Sequence, residues 1–370
     1  MKITVVIGPY LPVPAIMGGA VEKRSLAIAE QLAARGHQVT MISRRHPDLP
    51  DGNIQNGVTH IRVPSRNAPP NRLVYLLHDI RYALRAIRAM PKSDVSVTNS
   101  ISLPLLMPKK KAGKIVVDVG RYPKGQMGFY RRVSRLRVGT RAMEAAIAAQ
   151  SPSMSDRILV LPNCLSDTYA RAAAEATDKV REKEILYVGR IAREKGIDLL
   201  VQAFSEVADR HPDWKLTVVG PWDATLGGDG EALLASLKSL APADARIEYV
   251  GPVFDEGALR ARYEAAGIFV YPSVAEQGEA FGVAPLEAMA CGCPTIVSGL
   301  KVFRDFVTDG DNGLVFDHRD KGGARLAALL DRLMGDAAER ERLSAAGRNA
   351  ALRYTPERVA EDYERAFSAI

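Results

Sequence analysis

The residues best suited to chemistry gather in a few short stretches. In the second half of the chain, Gly189-Arg190 ends the β-branched run Ile185 to Val188, and Lys195-Gly196 follows closely, just ahead of a helical pattern carrying Leu200, Phe204 and Val207. An arginine can grip phosphate oxygens through two N–H donors while a lysine adds a point charge, so the two could balance a diphosphate leaving group without a metal. By themselves, the same cations would also suit a solvated loop. Further on, Glu279 and Glu287 bracket the turn Ala280-Phe281-Gly282-Val283. Pro285 fits the first turn of a helix, and Gly292 with Pro294 fits its stop, which places Glu287 in the opening turn near free amides and Glu279 in the loop before it. Two carboxylates so placed can accept hydrogen bonds from separate sets of sugar hydroxyls, although a helix-terminal acid and an unrelated loop acid would read the same way in isolation. In the first half, Gly18-Gly19 precedes the helical pattern Ala20 to Arg35. Glycines there let backbone amides and a positive helix end approach a phosphate, and they equally suit a plain flexible turn.

These residues need strands and helices to hold them. Short apolar runs at Ile3 to Ile7, Val39 to Ile42, Val95 to Thr98 and Ile115 to Val119 alternate with helical patterns, which implies a parallel sheet. The rhythm restarts at Ile185 to Val188 and continues through Leu216 to Val219, Ile247 to Val250, Ile268 to Tyr271, Thr295 to Val297 and Leu314 to Phe316, so two doubly wound domains are predicted. Ligands of such sheets sit beyond the carboxyl ends of the strands, where all the residues singled out above fall. The boundary is placed at Leu161-Pro162-Asn163, after the strand-like run Ile158 to Leu161 and before an Ala-rich polar stretch reaching Glu184. That gives domains 1–163 and 164–354. A last helix over about 355–370, opened by Thr355-Pro356-Glu357, is expected to pack back on the first domain.

With 370 residues, 47% of them hydrophobic and 25% charged, the chain can build two ordinary cores. Its three cysteines, Cys164, Cys291 and Cys293, frame neither a disulfide scaffold nor a zinc site, which suits a reducing compartment. No signal peptide or spanning apolar segment is read, so a cytoplasmic location is expected, with peripheral contact at the inner face of the membrane as an addition. The net charge of +7 conceals an asymmetry: residues 1–165 hold 25 Lys or Arg against 9 Asp or Glu, and the remainder is acidic. Much of that excess lies in Arg121, Lys124, Arg131, Arg132, Arg135, Arg137 and Arg141, mixed with apolar residues. Such a mixture suits an interfacial helix at an anionic membrane or an anionic acceptor, and equally a solvated basic face. Nucleic acid is a poorer reading, since no binding motif accompanies the charge. Asp309-Gly310-Asp311 matches an acidic metal motif in form but is read as a turn, so no metal and no cofactor are predicted.

The order of a Gly-Gly loop, Gly189-Arg190 with Lys195-Gly196, and Glu279-x7-Glu287 ending in Ala290-Cys291-Gly292-Cys293-Pro294 resembles glycosyltransferase family 4 over nearly the whole chain, with Leu161-Pro162-Asn163 matching its interdomain signature. The resemblance implies the GT-B fold: two Rossmann-like domains facing a central cleft, acceptor bound by the first and nucleotide-sugar donor by the second. It implies that Arg190 and Lys195 bind the donor diphosphate, that Gly18, Gly19 and Gly189 line it, and that Glu287 holds the ribose hydroxyls. Glu279 would contact the transferred sugar, with the backbone of Phe281, Gly282 and Val283 turned toward sugar and phosphates. Retention is implied, with a hexose moving from a UDP-sugar, or a GDP-sugar next, to a glycan, a lipid-linked acceptor or a cell-surface polysaccharide. Many relatives carry a histidine after the strand matching Ile115 to Val119. Here the segment reads Val117-Asp118-Val119-Gly120-Arg121, which leaves Asp118 or Arg121 as candidates on the acceptor side. The alternative from another class is a non-catalytic GT-B-like protein that binds an anionic polymer or membrane.

Overall fold

The computed structural model describes residues 1–175, 180–242, 245–320 and 323–370, and the chain divides into two compact units, 1–166 with 355–370, and 167–354. The first contains β1 (Lys2–Val6), β2 (Gln38–Arg44), β3 (Gly52–Gln55), β4 (Val58–Val63), β5 (Val95–Thr98), β6 (Lys114–Asp118), β7 (Arg135–Val138) and β8 (Ile158–Val160). They form one sheet in the order β3-β4-β2-β1-β5-β6-β7-β8, parallel throughout except for the β3/β4 hairpin. The second contains β9 (Glu182–Val188), β10 (Lys215–Val219), β11 (Ile247–Val250), β12 (Ala266–Tyr271), β13 (Thr295–Ser298) and β14 (Leu314–Phe316), all parallel, in the order β11-β10-β9-β12-β13-β14. β12 is buried at every position. A parallel strand covered on both faces needs an uninterrupted apolar run such as Ile268-Phe269-Val270-Tyr271.

Strand order reverses direction at β1/β5 in the first sheet and at β9/β12 in the second. At such a switch point the connections leave toward opposite faces and open a crevice at the carboxyl ends of the two strands. The loops after β9 and β12 carry Arg190, Lys195 and Glu279.

Three elements differ from the sequence reading. The β3/β4 hairpin was not foreseen; it is closed by Asn56-Gly57, both with positive φ (48° and 77°), as a two-residue hairpin turn requires. The basic run is no single interfacial helix. It breaks into a 3₁₀ turn (Gln126–Phe129), strand β7 and a helix (Arg141–Gln150); of its apolar members, Met127, Tyr130, Val133, Leu136 and Val138 are buried in the core, while Phe129 is exposed. The strand β9 begins at Glu182, and the polar stretch before it holds a helix, Asp167–Ala174; residues 176–179 of that stretch lie outside the described residues.

The last helix, Pro356–Ser368, opens on the Thr355 hydroxyl, which accepts from the Arg358 amide, with proline in its first turn. Its face Val359, Ala360, Tyr363 and Phe367 joins Ile3, Val5 and Ile28 in the core of the first unit. In the second unit, Gly220 at the end of β10 has φ 147°, and a Cβ there would lie 1.8 Å from the Gly189 carbonyl oxygen. Gly220→Ala is therefore expected to cost at least ~2 kcal/mol and to displace the Gly189-Arg190 turn. An unchanged urea midpoint would remove that constraint.

Candidate active site

Lys195 follows β9 in a 3₁₀ turn, Arg193–Lys195, that ends on Gly196 in the left-handed conformation (φ 64°). A Cβ on Gly196 would come within 2.3 Å of the Pro272 carbonyl oxygen, so glycine is what lets the β9 and β12 loops touch. The contact continues through the Val274 amide, which donates to the Glu194 carbonyl at 3.0 Å. Held this way, the Lys195 ammonium meets the Glu279 carboxylate at 2.8 Å, with both side chains about nine-tenths buried (9% and 11% exposed). The Tyr271 hydroxyl, at the end of β12, donates to the same carboxylate oxygen at 3.1 Å, and the Lys195 ammonium lies 5.4 Å from the Tyr271 ring centre. Burial pushes the Tyr271 hydroxyl well above its ordinary range, with the Glu279 charge adding to the effect, so it stays a proton donor.

Arg190 is half-exposed. Its guanidinium donates to the Gly227 carbonyl at 2.5 Å and pairs with Glu194 at 2.8 Å. The Arg190 carbonyl in turn accepts from the Tyr187 hydroxyl at 2.9 Å, which fixes the Gly189-Arg190 backbone from below. Tyr187 stacks on Tyr271 with ring centres 5.9 Å apart.

Gly282, with φ 83°, caps the helix Val283–Ala290, and a Cβ there would strike the Phe303 ring at 2.5 Å. The helix thus starts at Val283, and Glu287 falls in its second turn rather than its first, a correction that follows from the cap preceding Pro285 by three residues. Its carboxylate accepts from the Tyr263 hydroxyl at 3.2 Å. Phe281 points into the core, stacked on Phe306 at 5.3 Å, so its side chain is not presented to a ligand. Tyr187, Tyr271, Phe269 and Tyr263 form one row of ring contacts, with Glu279 attached at Tyr271 and Glu287 at Tyr263.

In the first unit, Gly19 (φ 115°) caps the helix Ala20–Ala34, and a Cβ on it would sit 2.1 Å from the Glu22 carboxylate; the space around Gly18 (φ 79°) is open. Burial pushes the Glu22 carboxyl above the usual carboxylate range. Asp118, at the end of β6, is not a free acid. One of its oxygens pairs with Arg24 and the other takes Arg137 at 3.0 Å, all three side chains being buried. The same two guanidiniums donate to the Asn163 side-chain oxygen at 2.7 and 2.9 Å. Desolvation alone would raise Asp118, but Arg24 and Arg137 outweigh it and hold the carboxyl below its ordinary range. Arg121 is exposed in the loop beyond β6. Asp309 accepts from the Val315 amide and Gly310 takes φ 75°, so Asp309-Gly310-Asp311 is a turn into β14. Among the described residues no His, Cys, Asp or Glu trio is grouped to hold a metal ion.

Tyr187, Tyr263, Tyr271, Arg24 and Arg137 are the partners that sequence reading missed. The tyrosines sit among apolar residues whose spacing is that of a core, and only tertiary contacts reveal what their hydroxyls meet.

The architecture is the GT-B fold: sucrose-phosphate synthase from Thermosynechococcus elongatus shares it with a TM-score of 0.78 over all of both chains, at 22% identity. Residues 171–350 match the family described as glycosyl transferases group 1. The phosphatidyl-myo-inositol mannosyltransferase of Mycobacterium tuberculosis strain H37Rv is 28% identical, with 98% of this chain and 97% of that one covered. The D-inositol 3-phosphate glycosyltransferase of an Arthrobacter species is 27% identical over 88% of this chain and 83% of that one.

Proposed function

We propose that this glycosyltransferase moves a hexose from a nucleotide diphosphate sugar, UDP-linked by preference and GDP-linked next, to a glycan or lipid-linked acceptor, with retention and without a metal. The observation that carries the reading is the buried Lys195–Glu279–Tyr271 cluster beside the half-exposed Arg190 guanidinium at one switch point. In this reading Arg190 exchanges its Glu194 partner for donor phosphate, and Lys195 supplies the second positive charge as the diphosphate departs. Glu279 holds hydroxyls of the transferred sugar, and Glu287 those of the ribose. The open amides at the start of the helix Val283–Ala290, reached across the Phe281-Gly282-Val283 backbone, take an anionic oxygen. In this reading the Gly189 backbone lies beside the same phosphates.

Asp118, with both oxygens taken by arginines, is a poor proton acceptor; in this reading it shapes the acceptor side and Arg121 contacts the acceptor. The two relatives named above carry a phosphorylated inositol in their names, which supports an acceptor with an anionic head, and the phosphatidyl group in the first name supports its presentation at a membrane.

The test is a panel of nucleotide sugars, followed for slow hydrolysis to the nucleotide diphosphate. Release is expected from a UDP- or GDP-hexose, unaffected by EDTA. An absolute requirement for a divalent cation would overturn the metal-independent mechanism, and no release from any donor would favour the non-catalytic alternative. Once an acceptor is found, the anomeric coupling in the NMR spectrum of the product reads retention directly.

A further inference from the structure

The helix Arg72–Ala89 of the first unit has two apolar sides, and only one of them is packed. Asp79, Tyr82, Ala83 and Ala86 are buried. On the other side stand Leu73, Leu76, Leu77 and Leu84, exposed by 75, 40, 52 and 44%. On a helical wheel these four leucines fall within an arc of about 100°, the width of an interfacial face. Four exposed leucines on one stripe are far from the scattered apolar residues that any surface shows. The short helix Leu103–Leu106, which packs beside it, adds Leu105 and Leu106, each about two-fifths exposed.

The charges on this helix are one-sided. Arg72, Arg81, Arg85 and Arg88 are exposed, and its single acid, Asp79, is turned inward, where it accepts from the hydroxyls of Ser100 and Ser102. A leucine stripe edged by arginines matches a surface that is apolar within and anionic outside. A second copy of the chain would instead set arginines against arginines.

We propose that the outer face of the helix Arg72–Ala89 docks on an anionic phospholipid bilayer, its leucines entering the acyl boundary and its arginines meeting the headgroup phosphates. The inference rests on the reading of a membrane-presented acceptor, and it moves the contact away from the stretch 121–141, whose apolar residues are mostly buried.

Co-sedimentation with phosphatidylcholine vesicles, with and without phosphatidylglycerol, tests this. The full chain is expected to bind only the phosphatidylglycerol vesicles and to be released by salt. The double variant Leu73→Glu, Leu77→Glu should bind at least ten-fold more weakly, while its nucleotide-sugar hydrolysis in the absence of vesicles stays at the wild-type rate. The surface charge pair Arg131→Ser, Arg132→Ser should change binding by less than two-fold. In Leu77→Trp, indole emission beyond that of the wild type should move to the blue on adding phosphatidylglycerol vesicles. Absence of binding, full binding by the leucine double variant, or a dimer in solution that this variant dissociates would each overturn the proposal. Loss of hydrolysis in the wild type with binding intact would count against the enzymatic reading alone.

Discussion

Replacing Lys195 by alanine is expected to lower turnover by about 10²–10³-fold, the range seen when one preorganised charge-stabilising donor is removed from a protected site. The substitution also leaves the Glu279 carboxylate buried beside a single neutral donor, the Tyr271 hydroxyl. A loss of stability therefore accompanies the loss of rate, and the two must be separated. Glu279→Gln removes the charge while keeping the shape, so in the double variant Lys195→Met, Glu279→Gln neither partner is left uncompensated. If the pair were only structural, the double variant would regain both stability and turnover. If Lys195 serves the departing diphosphate, stability returns and turnover does not. Urea midpoints and donor hydrolysis, measured on the wild type, Lys195→Met, Glu279→Gln and the double variant, give the answer.

The largest effect on stability is expected at Asp118. Its carboxylate is the group that the structure shows between Arg24 and Arg137, and Asp118→Ala would leave two buried guanidiniums without it, at a cost of about 3–5 kcal/mol. Asp118→Asn keeps one acceptor oxygen and should fall between alanine and the wild type. The pH dependence has a definite sign. Because the folded-state pKa is depressed, the contribution of Asp118 is complete above the unfolded carboxylate pKa near 4 and fades as pH falls through the lower folded value. The gap between the wild type and Asp118→Asn should therefore be widest at neutral pH and narrow in acid. A neutral-pH difference below about 1 kcal/mol would mean that the arginines find other partners.

The parallel sheets were legible because parallel strands spell themselves as short apolar runs; the inner strand Val95–Thr98 and the edge strands Ile247–Val250 and Leu314–Phe316 coincide with the observed ones residue for residue. β7 was missed for the opposite reason. Arg135-Leu136-Arg137-Val138 alternates like a half-exposed strand, yet Arg137 is fully buried, since its charge is met by Asp118 and Asn163 and its plane lies 5.9 Å from the Tyr363 ring centre. A buried arginine is rare enough that a basic run reads as surface. At the site, residue types and spacing singled out Lys195 and Glu279, which the fold brings into contact. The hydroxyls that meet the two carboxylates come from Tyr271 for Glu279 and from Tyr263 for Glu287, both within core-like apolar stretches, and no local pattern announces such partners. Glu287 shows the reach of the local rules: helix, cap and stop were all readable, while the starting residue, and with it the turn that holds the carboxylate, was off by part of a turn.

The helix Pro356–Ser368 makes the second unit an insertion within the first. During synthesis the ribosome delivers the sheet of the first unit early but Val359, Tyr363 and Phe367 only after the whole of the second unit. The inserted unit has all its own strands by then and can close on its own, whereas the older part of the chain waits with an open flank for its last piece. A released chain that ends at residue 354 would thus carry the whole second unit together with a first unit that lacks its closing helix.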